Sequence, residues 1–76
     1  MTKFRSLTMR PNMPPIEKLA KSRDAARVRA EQQAIAASIT DGTAFSVVQM
    51  FLPVCRQWEE IETIYAERGV ITQTVS

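Results

Sequence analysis

The chain has 76 residues and a mass of 8.6 kDa. That is room for one domain, and a chain this short buries only about 60% of its unfolded surface on folding, so its core must be thin. At 45% hydrophobic and 24% charged residues it is too apolar to be wholly disordered. With no histidine and a single cysteine, it excludes a Cys/His zinc site and an internal disulfide framework.

The net charge of +2 hides an asymmetry. Residues 1–30 carry eight Lys and Arg against two acids, a net of +6, while residues 31–76 carry two against six, a net of −4. That layout predicts two working surfaces, the first for phosphate or acidic protein and the second for something basic or apolar. No secretory pattern follows the basic start, because Met13-Pro14-Pro15 interrupts it. The longest apolar-rich run, Ala44 to Val54, contains Ser46, Gln49 and Pro53 and is far short of the ~20 residues of a membrane span. The expectation is a soluble, cytoplasmic protein, and an unpaired Cys55 suits a reducing compartment.

Residues 1–15 read as a flexible basic arm. Pro11, Pro14 and Pro15 remove backbone donors, no period is sustained, and Phe4, Leu7 and Met9 stand as apolar islands among Lys3, Arg5 and Arg10. Residues 16–71 read as a helical domain. Pro15 suits a first helical position, and a short helix is expected over 16–21. Ser22 can cap a longer one over about 23–39, with Ala26, Ala30, Ala34 and Ala37 on one stripe and Arg27 and Glu31 spaced to pair. Thr40-Asp41-Gly42-Thr43 is a turn.

Ala44 to Leu52 is too apolar for a clean stripe. Its β-branched content fits a buried strand, but its length and helical neighbours favour a buried helix that Pro53 ends. Val54, Trp58, Ile61 and Tyr65 then recur at helical spacing, with Ile64 widening the face, Arg56, Gln57, Glu59, Glu60, Glu62 and Glu67 opposite, and Gly69 as the stop. Residues 72–76 read as a frayed tail. The predicted fold class is therefore all-α: a small bundle of three or four helices around Phe45, Val48, Phe51, Leu52, Trp58, Ile61 and Tyr65, with a flexible basic N-terminal arm. So small a core calls for a partner, a second copy among the candidates, to cover the apolar remainder.

No chemistry of catalysis is legible. The usual base near neutral pH is missing, Cys55 has no histidine to activate it, and adjacent helical carboxylates such as Glu59 and Glu60 would diverge by about 100°. No catalytic residue, metal ligand or cofactor site is assigned, and the protein reads as a non-enzyme. Two binding readings survive. In the alternative, residues 46–61 form a DNA-binding helix-turn-helix, with Arg56 and Gln57 at base edges and the basic half of the chain, Arg23 and Arg27 included, on phosphates. Against it, proline occupies the turn and Glu59, Glu60 and Glu62 would face the phosphate field. In the preferred reading the chain binds a large protein complex: Trp58, Glu59, Glu62, Tyr65 and the edge of Phe51 form a docking patch, while the arm, through Phe4, Arg5, Leu7 and Arg10, enters an acidic or nucleic-acid-lined channel.

With Met1-Thr2-Lys3-Phe4-Arg5 opening a basic arm and Trp58-Glu59-Glu60 on an acidic helix, the layout resembles the small phage-encoded proteins that bind host RNA polymerase and block or redirect transcription. The resemblance implies RNA polymerase as partner, stoichiometric binding in the host cytoplasm, and inhibition without chemistry. It holds no diagnostic motif, so it carries over no functional residue.

Overall fold

The computed structural model describes residues 3–11 and 13–76, and it is mostly strand. Strands β1 (Phe4–Arg10) and β2 (Met13–Ala20) form a hairpin; helix α1 (Arg23–Asp41) follows, then β3 (Thr43–Leu52), β4 (Gln57–Glu67) and β5 (Val70–Val75). All five strands join one antiparallel sheet in the order β2-β1-β3-β4-β5. Since β2 and β3 are each antiparallel to β1, they run parallel to one another, and α1 is the crossover between them that passes over β1.

The all-α bundle is thus overturned, and the flexible arm with it. Residues 4–10 are the strand between β2 and β3, with the Lys3 carbonyl accepting from the Phe51 N–H at 2.8 Å. The segment expected as a helix over 16–21 lies mainly in β2, and Ala44 to Leu52 is strand. The expected last helix is a turn followed by β4, and residues 72–75 of the expected tail belong to β5. Consecutive prolines 14 and 15 are tolerated because β2 is an edge strand and its register with β1 slips between Ile16 and Met13, leaving both prolines outside the paired positions.

The helix over 23–39 does form, two residues longer than expected. The Ser22 hydroxyl caps it by accepting from the Ala25 N–H at 3.1 Å. Gly42, at φ 89°, ends it by donating its N–H to the Ser38 carbonyl at 2.9 Å, the left-handed stop that glycine makes without a Cβ penalty. Arg27 Nε and Glu31 Oε1 pair at 3.5 Å on its solvent side. The hairpin between β4 and β5 turns on Arg68 (φ 50°) and Gly69 (φ 85°), the two positive angles a tight primed turn demands.

The core lies between α1 and one face of the sheet. Ala26, Ala30 and Ala34 are fully buried against Val48, Ile64 and Ala66, with Phe4, Ala20, Ile61 and Ile71 packed around them. Small residues answer small residues: Ser6, Thr8 and Ser46 are also fully buried on this face, and the Thr8 and Ser46 hydroxyls bond at 2.7 Å. A stripe of alanines over serine and threonine lets the helix axis come close to the sheet. Of the residues expected as a bundle core, only Val48 is deeply buried, while Phe45 and Tyr65 are exposed on the opposite face. No helix among the described residues is long and apolar enough to cross a membrane.

Candidate protein-binding face

Side chains alternate between the two faces along a strand, so the helix-side positions fix what the other face carries. With Ser6, Thr8, Ser46, Val48, Ile64 and Ala66 turned toward α1, the register places Arg5, Leu7 and Met9 of β1 beside Phe45, Val47, Gln49 and Phe51 of β3 on the uncovered face. Trp58, Thr63, Tyr65 and Glu67 of β4 complete it. A bulge opposite Val48 and Gln49 lets Ile61 turn to the helix while Trp58 and Glu60 keep to the open side.

Two aromatic pairs mark the two ends of this face. At one end Phe51 and Trp58 sit directly opposite, edge to face with centroids 5.2 Å apart, and the Arg5 guanidinium lies 4.1 Å over the Trp58 ring. Arg5 also donates to Gln49 Oε1 and pairs with Glu17 of β2. Four strands are therefore tied by one cation. At the other end Phe45 and Tyr65 are directly opposite, centroids 5.8 Å apart, and remain 37% and 41% exposed. Beside them an open groove of about 540 Å³ is lined by Met9, Arg10, Pro11, Thr43, Phe45, Tyr65, Glu67 and Thr72 among others.

The structure distributes the sequence-predicted residues unevenly. Arg5, Leu7 and Trp58 meet on the open face, with Arg10 at the rim of the groove. Phe4 does not join them: it is on the helix side, half-buried against the core. Glu59 is exposed, opposite Met50. Glu62 is buried under the helix, where Arg23 Nη2 donates to its Oε1 at 3.1 Å, so it is not a surface group. That bond, and the stacking of Arg5 on Trp58, join early arginines to late residues. The chain does not present separate positive and negative ends.

The residues of the proposed helix-turn-helix, 46–61, are strand, turn and strand. Arg56 sits in the hairpin turn at φ 54° and Gln57 opens β4, so the helix-turn-helix expected there is not formed and no recognition helix carries them. Arg27 is engaged with Glu31 and Arg23 with Glu62. Sequence reasoning missed Phe45 and Val47 as face residues, along with Leu19, which is 64% exposed opposite Arg5. The alternation Phe45, Val47, Gln49, Phe51 was the signal that would have found them. The described residues bring together no group of three acidic, Cys or His side chains able to hold a metal ion.

No protein-family model matches the chain, and neither a curated protein nor a solved structure shows significant similarity to it.

Proposed function

We propose that the chain is a non-enzymatic protein-binding module that regulates a large complex by docking its uncovered sheet face, with RNA polymerase as the first partner to test. The observation that carries the reading is the composition of that face. An antiparallel sheet covered on one side ordinarily alternates apolar residues inward with polar ones toward water. Here the uncovered side carries Leu7, Met9, Phe45, Phe51, Trp58 and Tyr65, with Val47 buried among them, an apolar patch of the kind that marks an interaction site. Aromatic anchors with a charged rim of Arg5, Glu17, Glu60 and Glu67 follow the usual distribution of binding energy in protein interfaces.

A single-stranded nucleic acid could also stack on such rings. The charge argues against it, since Arg5 is already engaged and the remaining face carboxylates oppose phosphate.

The test is co-sedimentation with purified RNA polymerase, and with host lysate read by mass spectrometry, using Tyr65→Glu and Phe45→Glu. Both are expected to cut binding at least tenfold while Arg27→Glu on the solvent side of α1 leaves it unchanged. Retention of binding by both face variants, or its loss on Arg27→Glu, sinks the reading. A steeply salt-dependent affinity for oligonucleotides that vanishes in the same variants would move the partner to nucleic acid.

A further inference from the structure

The two edges of the sheet are built differently. An edge strand offers a row of backbone donors and acceptors to any chain that can pair with it, and proteins guard that row with proline, charge or cover. At one end β2 is guarded: it carries Pro14, Pro15, Glu17 and Lys18, and Arg5 holds Glu17. At the other end β5 reads Val70-Ile71-Thr72-Gln73-Thr74-Val75, with neither proline nor charge and with every residue but Gln73 β-branched. Val70 and Val75 are exposed, and among the described residues no strand lies beyond them.

The register of β5 decides what fits against it. Ile71 and Thr74 stand opposite Ala66 and Ile64, on the helix side, while Val70 and Val75 stand opposite Glu67 and Thr63, on the open side. Gln73 is opposite Tyr65, and Thr72, left over where the register shifts, lines the open-side groove. Paired residues of an antiparallel ladder share a face. Set against a second β5, the register that pairs all six residues is centred between Thr72 and Gln73. It puts Val70 opposite Val75, Ile71 opposite Thr74 and Thr72 opposite Gln73, and every pair then agrees in face. A regular strand would fail this condition, because without the irregularity at Thr72 its two halves would face opposite ways. A shift of one residue either way sets helix-side residues against open-side ones. The strand is complementary to itself, and no like charges meet in the seam.

We propose that β5 is a self-association edge, through which two copies of the chain join antiparallel about a two-fold axis into one continuous sheet. The pairing closes, because the other edge is the guarded β2 and a head-to-tail filament has nothing to grow on. A two-fold normal to the sheet puts both helices on one side and both aromatic faces on the other, with a Phe45–Tyr65 pair flanking the seam in each copy. The inference stands apart from the docking reading; where both hold, the dimer presents the docking face twice.

Sedimentation equilibrium over a wide range of concentration is expected to show a mass rising from one chain of 8.6 kDa toward two and stopping there. So short a seam is a small interface, which makes the dimer weak and concentration-dependent. Amide shifts of the ¹⁵N-labelled protein should move with concentration along Val70–Val75 and not along β2 or α1. Gln73→Lys and Gln73→Glu each place like charges about the axis and should weaken self-association at least tenfold; mixing the two variants should restore it. Phe45→Glu, on β3, should leave it unchanged. A monomer at every concentration, growth past the dimer, shifts confined to β2 or to the middle of the open face, or no recovery in the mixture overturns the proposal. Should a Gln73 variant fail to fold, the wild-type masses and shifts still decide it. A dimer that persists in Phe45→Glu while polymerase binding is lost supports both surfaces; polymerase binding that depends on Phe45 in a chain that stays monomeric keeps the docking face and rejects this edge.

Discussion

Arg23 and Glu62 show how unevenly one ion pair divides its weight. The guanidinium side is 52% exposed and the carboxylate side 9%, so water screens the arginine far better than the glutamate. Glu62 Oε1 accepts from Arg23, and Oε2 has no partner among the described residues. Taking away the arginine strands a buried carboxylate; neutralising the glutamate removes the charge that needed a partner. Arg23→Ala is therefore expected to cost ~1–3 kcal/mol, the half-exposed partner holding it below the value for a fully buried pair. Glu62→Gln should fall within ~1 kcal/mol of wild type. Urea midpoints at one pH, with unchanged m-values, check the contrast. Equal losses in the two variants would mean that Arg23 contributes packing alone.

At the scale of elements, α1 was legible because its signals are local: a Ser22 cap, an alanine stripe and a glycine stop each act within one turn of the chain. The strands were not, and the reasons are physical. The covered positions of β1 are the half-buried Phe4 and the buried Ser6 and Thr8, so both buried side chains are hydroxyls and show no apolar alternation. In β3 both faces are apolar, which erases the period-two pattern that distinguishes a strand from a buried helix. In β4 the bulge at Ile61 inserts one residue between Trp58 and Ile64, and apolar side chains on both faces then fall at spacings of three and four. The helix suggested by Val54, Trp58, Ile61 and Tyr65 is a turn residue followed by two faces of a bulged strand, read as one stripe. Of the candidate site, the sequence supplied Arg5, Leu7, Trp58 and Tyr65 but not the face that joins them, because cross-strand register is a long-range property.

The alanine stripe carries its own prediction. Ala30 has no exposed surface and sits in the cluster with Val48 and Ile64, where the helix lies close to the sheet. Leucine at that position cannot find room without lifting α1, so Ala30→Leu is expected to lose ~1–3 kcal/mol despite its added apolar area. The same change at Ala36, on the exposed side, should be neutral within about 0.5 kcal/mol. Thermal melts of the pair separate overpacking from helix propensity, and a stabilised Ala30→Leu would show that the interface holds a void.

The molecule as a whole divides its labour between two sides of one sheet. Among the described residues six of the nine buried apolar ones are alanines, and the larger ones are Val47, Val48 and Ile64. Ordinary stability for a chain of 76 residues is roughly 4–11 kcal/mol, and so lean a core points to the lower part of that range. Ile64 and Tyr65 are neighbours on β4 but face opposite ways: Ile64 has no exposed surface and sits under the helix, while Tyr65 is 41% exposed on the open side. Ile64→Ala removes a buried side chain with few neighbours free to close the gap, at a cost of ~2–5 kcal/mol, enough to unfold a sizeable fraction of the protein. Tyr65→Thr gives up one cross-strand pair with Phe45 for a residue that strands accept, at ~1 kcal/mol or less. Urea denaturation should thus separate the two variants by more than ~1 kcal/mol, while partner binding measured on the folded fraction should rank them in the opposite order. If Tyr65→Thr proves as destabilising as Ile64→Ala, the open side serves folding rather than docking, and the division between the two faces does not hold.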